Sequence, residues 1–375
     1  MYIHYVTGSR ADFGLMRRCL TAIHEANGFE LGIIVTGQHL SEHYGYSISD
    51  IVDSGLPILH QVPVKLSGNH GAEMALAMSS ELTGFCEYWK EFPPDLVLVL
   101  GDRGEMVAAS LAAVHLGIFV AHIHGGERSG TLDESFRHVI TKLAHFHFPV
   151  TEDAAERIRL MGEMPESINV LGAPGLVGIS DAIRFDKAWL CDTFDIDQSK
   201  RVAVVVFHPV VQEAGSAGNQ IRILLESLKS EDFSALVFRP NSDAGGSAID
   251  EYLDGMADET VFRVISHVSR GEYLNILASS DLIIGNSSSG IIESASFGIP
   301  CVNIGSRQSG RLRNNNTVDC LEFDTVNIIN AINLALSLPR PFINEYGDGK
   351  TDERLVQALA RLNLDPERLK KSNVY

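Results

Sequence analysis

The chain holds only five cysteines, Cys19, Cys86, Cys191, Cys301 and Cys320, scattered and with no CxxC pair among them. That excludes a disulfide framework and a zinc site, and it fits reduced thiols in the cytoplasm. Long apolar runs are missing too. Nothing approaches the roughly 20 residues of a membrane span. The N-terminus enters a strand directly, so no signal peptide is expected. Positive charge is in deficit: 30 Lys and Arg stand against 48 Asp and Glu, a net charge of −18. This argues against nucleic acid or an anionic membrane surface as partner. It leaves a phosphate ligand open, because a few local arginines decide that. There is no GxGxxG after the first strand and no P-loop, so NAD and ATP are poor candidates. What remains is 375 residues with 45% hydrophobic and 21% charged content, an ordinary globular composition best divided into two domains.

The first half alternates strand and helix. Tyr2–Val6, Gly32–Val35, Pro57–Val62, Asp95–Leu100, Ile118–Ile123, Phe146–Val150 and Ile168–Leu171 are predicted strands, with helices over Ala11–Ala26 and Gly71–Phe92. This is the pattern of a doubly wound α/β sheet. Three strand ends deliver polar residues to one rim: Arg10, Gln38 with His39, and Asp102 with Arg103. Arg10 follows an open Gly8-Ser9 turn and is expected to bind phosphate; pairing with a carboxylate such as Asp12 is the structural alternative. Gly172-Ala173-Pro174-Gly175 is the clearest turn signal near the middle and marks a hinge. The domains expected are 1–172, 173–352, and a C-terminal helix within 353–375 that returns to the first. The second half repeats the plan, with strands Val202–Phe207, Ala235–Phe238 and Val261–Ile265. They end in His208, in a loop holding Asn241 and Asp243, and in His267. The fold class is thus α/β, two Rossmann-like domains pointing strand ends at a common cleft.

Two stretches carry chemistry. Asp281–Ile304 reads as strand, small-residue turn, helix and strand, the helix running through Ile291, Ile292, Ala295 and Phe297. The turn, with Ser287, Ser288, Ser289 and Gly290, offers free N–H groups and a positive dipole end to an anion. Glu293, about one turn on, is placed to accept from a sugar diol. Any βαβ turn can be Gly- and Ser-rich, so the neighbouring loop matters: Arg307 or Arg311 reaches the anion. The second stretch, His122–His147, packs His124, Glu127, Asp133, Glu134, Arg137 and His138 into fifteen residues beside a Gly-Gly turn. A helix-capping network would account for some of these. So dense a cluster, with Glu134 spaced to share a face with Arg137 and His138, points instead to acid/base chemistry. No HxxxH-plus-carboxylate pattern argues for metal.

TGSRADFG at Thr7, TGQHL at Thr36, GDRGE at Gly101, HIHGGERSGTLDESFRH at His122, FHPV at Phe207, RPNSDAG at Arg239 and GNSSSGIIESASFGIP at Gly285 run in order along nearly the whole chain. Together they resemble the hydrolysing UDP-N-acetylglucosamine 2-epimerases, in particular the sialic-acid and legionaminic-acid branch. The resemblance implies a fold like the B-type glycosyltransferases, a UDP-sugar substrate, no cofactor or metal, and a homodimer. It implies elimination of UDP to a 2-acetamidoglucal, then hydration to the free 2-epimerised sugar. It makes Arg10, the Ser288 turn and Arg307 diphosphate holders and Glu293 the ribose-diol acceptor. It ties Asp102, Glu134 and His208 to catalysis, with Arg103 and His208 also able to steady the leaving group. Many relatives carry Glu where this chain has His124, which leaves the C2 base open among Glu127, Asp133 and Glu134. Gly14 and Leu15 replace the Ser and Lys frequent elsewhere. GDRGEM with HIHGGERSG is similar to the branch acting on UDP-N,N'-diacetylbacillosamine, and the substrate stays open between that sugar and UDP-GlcNAc. A glycosyltransferase of the same fold and a non-catalytic nucleotide-sugar sensor are the rival readings.

Overall fold

A computed structural model describes residues 1–41, 46–65, 71–129, 132–240, 245–256, 261–266 and 268–374. The chain forms two compact units. The first comprises Met1–Val177 with Tyr346–Tyr375, the second Gly178–Glu345.

In the first unit a parallel sheet contains β1 (Tyr2–Thr7), β2 (Glu30–Val35), β3 (Ile58–Gln61), β4 (Leu96–Leu100), β5 (Phe119–Ile123) and β6 (Phe146–Phe148), in the order β3-β2-β1-β4-β5-β6. Every residue of β4, LVLVL, is buried. Its side chains alternate between faces, as a strand's must. Leu96, Leu98 and Leu100 join Ile3, Phe13 and Leu20 on one side, while Val97 and Val99 join Trp89 and Met106 on the other. A strand covered on both faces needs this continuous apolar run, and that is why it was legible. Helix Thr351–Ala360 packs through Leu355 and Leu359 on the core beneath helix Arg10–Glu25. Gly172–Gly175 lies inside this unit, where the Ala173 N–H bonds the Tyr346 carbonyl at 2.7 Å. The expected strand Ile168–Leu171 is reduced to one bridge, Ile168 beside His147. Asn169 and Leu171 donate to His147 and Pro149 carbonyls, but Pro149 has no N–H to return and the ladder stops.

The second unit repeats the architecture with β7 (Arg201–Val206), β8 (Phe233–Phe238), β9 (Phe262–Ile265), β10 (Leu282–Gly285), β11 (Cys301–Ile304) and β12 (Thr317–Cys320), in the order β12-β11-β10-β7-β8-β9, all parallel. Ala203, Val205 and Phe207 face one core; Val202, Val204 and Val206 face the other. The helix expected through Phe297 is a single α turn, Ser288–Ile292, followed by a 3-10 turn, Ser294–Phe297. Glu293 sits at the break.

Each sheet has one place where neighbouring strands run off in opposite directions of the chain order: between β1 and β4, and between β7 and β10. Open α/β sheets bind ligands at the carboxyl ends of such strands.

Candidate functional site

In the first unit β1 ends in Gly8-Ser9-Arg10. Ser9 caps helix Arg10–Glu25, and Asp12 returns the bond in a capping box. That return bond, from the Ser9 N–H, is 2.8 Å, and Asp12 also accepts from the Gly8 N–H at 3.1 Å and the Thr7 hydroxyl. Burial lifts its carboxyl to about 6. Arg10 does not pair with Asp12. It is half-exposed and pairs with Asp50, Nε to Oδ2 2.6 Å. His39, expected at the rim, is fully buried: its Nε2 lies 3.0 Å from Thr7 Oγ1 and its Nδ1 2.8 Å from Ser47 Oγ. Burial pushes it down to about 4, so it stays neutral. Gln38 stands beside it in the 3-10 turn Gly37–Leu40, with its N–H on the Gly8 carbonyl.

β4 delivers Asp102 and Arg103. Arg103 Nε bonds Glu105 Oε1 at 2.5 Å, and this buried carboxylate is the first cause of a raised Arg103 pKa, so the cation is permanent. β5 leads through His122-Ile123-His124 into the Gly125-Gly126 turn. His122 is buried; its Nε2 meets the Gly101 carbonyl at 2.7 Å and its Nδ1 the Thr141 hydroxyl at 3.1 Å. A carbonyl only accepts, so Nε2 carries the hydrogen, and burial holds the ring neutral with a pKa of about 3. His124 adopts a left-handed backbone, φ 63°, and its Nδ1 lies 3.3 Å from buried Glu127.

Helix Leu132–Leu143 opens with Asp133 and Glu134 in its first turn. The Ser129 N–H donates to Glu134 Oε2 at 2.6 Å, and His138 Nε2 lies 3.8 Å from Glu134 Oε1. Arg137 is 2% exposed. Its guanidinium bonds Asp102, the Glu127 carbonyl at 2.9 Å and the Ser129 hydroxyl at 3.4 Å. One arginine therefore gathers Asp102, the Glu127 backbone and the Ser129 turn that holds Glu134. Asp133 is exposed and acts on Arg103 through its charge. The structure thus brings Asp102, Glu127, Glu134, Arg137, His124 and His138 together at the β4 and β5 ends. Arg137, expected at the substrate, bonds these protein groups.

In the second unit His208 follows β7. Burial, then the charge of Arg307, pushes its pKa to about 3. The turn after β10 holds Ser287, whose hydroxyl caps Ser289 N, and Ser289 Oγ lies 2.6 Å from Tyr273 OH. Packing requires two glycines here. A side chain on Gly285, φ 143°, would strike the Val206 carbonyl at 2.1 Å, and one on Gly290 would meet Cys301 Sγ at 3.0 Å. Ser288 is partly exposed at the start of the turn. Glu293 is buried and paired with Arg270, Oε2 to Nη1 3.0 Å. Arg307 Nη1 donates to the Asn286 carbonyl at 3.2 Å, and the Arg311 carbonyl accepts from Arg313. The expected ligands Asn241, Asp243 and His267 lie outside the described residues. Glu105, Asn286 and Arg270 were missed. Glu105 and Asn286 stand inside the quoted motifs, GDRGE and GNSSSG, but nothing in a spacing marks which neighbour they hold. Among the described residues no group of three or more His, Cys, Asp and Glu is placed to hold a metal ion. Among them, no helix is long and apolar enough to cross a membrane.

Two doubly wound parallel sheets, each with ionisable side chains at its switch point, define the two-domain fold of B-type glycosyltransferases and their nucleotide-sugar relatives. A solved UDP-GlcNAc 2-epimerase from Neisseria meningitidis, bound to UDP-GlcNAc, shares that fold with a TM-score of 0.82 at 19% identity, covering 96% of this chain and 100% of that one. The chain belongs to the UDP-N-acetylglucosamine 2-epimerase family, whose model matches residues 21–360. It is 42% identical to the hydrolysing UDP-N,N'-diacetylbacillosamine 2-epimerase of Legionella pneumophila over 100% of this chain and 99% of that protein. It is 30% identical to the hydrolysing GDP/UDP-N,N'-diacetylbacillosamine 2-epimerase of Campylobacter jejuni over 84% of this chain and 83% of that protein.

Proposed function

We propose that the chain is a hydrolysing 2-epimerase that converts a UDP-linked 2-acetamido sugar and water into UDP and the free 2-epimer, for nonulosonic acid synthesis. The observation that carries this is the full-length likeness to the Legionella protein, joined to a carboxylate cluster built around Arg137. A carboxylate of the first unit takes the C2 proton while the C1–O bond to UDP breaks, leaving a glycal. Water then adds at C1 and a proton returns to C2 from the opposite face. Glu134, partly exposed and held by the Ser129 N–H, is the first candidate for the base. Asp102, Glu127 and Asp133 complete the acid/base set, as removal and return from opposite faces need more than one group. Arg10, Arg103, Arg307 and Arg311, with Ser287–Gly290, take the diphosphate; Glu293 takes the ribose diol; His208 steadies the departing phosphate. Gln38, His124, Asn241, Asp243 and His267 line the sugar and nucleotide.

The Legionella relative favours UDP-N,N'-diacetylbacillosamine as substrate, and UDP-GlcNAc is the second reading. The protein is incubated with each sugar nucleotide alone, in deuterated water. UDP plus a free manno-configured sugar carrying deuterium at C2 is expected, faster from one substrate than the other. Product only in the presence of an acceptor would make it a glycosyltransferase, and no product at all a sensor. Glu134→Gln and Asp102→Asn should each lower turnover by ~10²-fold. Near-normal rates in both would remove them from the mechanism.

A further inference from the structure

β7 and β10 lie side by side at the switch point of the second sheet, with Val206 opposite Gly285. The backbone ladder makes its last bond there, Asn286 N–H to the Val206 carbonyl at 3.1 Å. One residue further, His208 would have no strand partner. The Asn286 side chain supplies one. Its Oδ1 accepts the His208 N–H at 2.8 Å, and its Nδ2 donates to the His208 carbonyl at 2.7 Å. A side-chain amide has both an acceptor and a donor, so it imitates one more rung of the sheet. Asn286 is 1% exposed, so neither bond is shared with bulk water. Its own carbonyl accepts from Arg307 Nη1 at 3.2 Å and Gln308 Nε2 at 3.0 Å. The next residue along is Ser287, the start of the serine turn. A single asparagine thus sets the backbone of His208, one contact of Arg307 and the entry to Ser287–Ser289.

We propose that Asn286 is a positioning residue for His208: its two-point bond fixes the histidine backbone, and hence where the imidazole stands against the leaving diphosphate. The kinetic consequence rests on the 2-epimerase reading above; the placement itself does not. Aspartate at this position keeps the acceptor but loses the donor and sets a negative charge against the His208 carbonyl. Alanine loses both bonds. The Arg307 and Gln308 contacts go to backbone and survive either change.

The test is a double-mutant cycle of Asn286→Asp and His208→Ala, with UDP release assayed at saturating substrate. A small displacement of a reacting group costs on the order of 10²-fold. Asn286→Asp alone should therefore lower kcat by about tenfold or more while KM moves by less than about threefold. In the His208→Ala background it should add nothing, because coupled residues are non-additive. Additive losses, or an unchanged kcat, would overturn the proposal. Should Asn286→Asp fail to fold, Asn286→Ala, which removes both bonds and adds no charge, replaces it in the same cycle. A second readout is independent of turnover: the nitrogen resonances of the His208 ring, recorded with and without UDP. They should shift between wild type and Asn286→Asp in the UDP-bound state. Identical spectra would overturn the placement even in an active enzyme. An enzyme inert on both sugars would end the 2-epimerase reading and leave the spectra to decide the placement.

Discussion

Glu81 offers a sharp check on the polar interior of the first unit. It lies on helix Gly71–Glu91 and is 3% exposed. Burial first, then the charge of Glu105, pushes its carboxyl from 4.5 to about 8. Geometry agrees. Thr36 Oγ1 is 2.9 Å from the Val62 carbonyl and 3.1 Å from Glu81 Oε1, and it has one hydrogen. If that hydrogen goes to Val62, the contact with Glu81 is a bond only when Glu81 is the donor, that is, protonated. The sign follows from linkage. Below pH 4.5 folded and unfolded chains both hold the proton. Between 4.5 and about 8 only the folded chain does, so stability falls as pH rises, and the loss is complete above about 8. At about 1.4 kcal/mol per pH unit the whole effect is ~5 kcal/mol at most. Glu81→Gln keeps the shape, donates to Thr36 and cannot ionise. It should raise Tm at pH 9 by up to ~10–20 °C, at about 2–4 °C per kcal/mol for a unit of this size, and raise Tm at pH 5 by only a few degrees. Calorimetry at pH 5, 7 and 9 decides. Parallel curves for the two proteins across that range would refute a protonated Glu81.

Arg137→Met should leave Asp102 without its buried partner. Loss of one side of such a pair costs ~3–5 kcal/mol in stability, and turnover should fall with it even at temperatures where the variant is fully folded. A variant with normal kcat would show that Asp102 needs no brace. Glu163 makes the second case. Burial alone would raise it, but bonds from His147 at 3.0 Å, Lys142 at 2.6 Å and Lys371 at 2.7 Å hold its carboxyl at about 2. Its stabilisation is present above pH 4.5 and lost as pH falls toward about 2. Glu163→Gln should flatten acid unfolding over that window. It should also expose the chain after Lys370 to trypsin, since Lys371 is anchored there; equal digestion rates would contradict this.

The strands were legible because a sheet covered on both faces demands unbroken apolar runs, and VAVVVF and DLVLVL can hardly be anything else. β12 was not, because Thr317-Val318-Asp319-Cys320 is a half-exposed edge whose polar residues look like loop. Helix Ser288–Ile292 is shorter than its pattern implies because Ala295 and Phe297 keep helical spacing through a 3-10 turn. The site divides along the same line. Residue types at strand ends could be read, since the alternation of elements sets which loops share a rim. Partners could not, because they join residues far apart in the chain: Arg10 with Asp50, Arg137 with Asp102, Asn286 with His208. Arg137 shows why. Three residues from Glu134 on one helix, it had every local reason to join that carboxylate. The fold buries it instead, and a buried guanidinium needs a close anion and further acceptors, which Asp102, Ser129 and the Glu127 carbonyl supply together. Desolvation across the sheet outweighs the few tenths of a kcal/mol that a pair on an exposed helical face contributes.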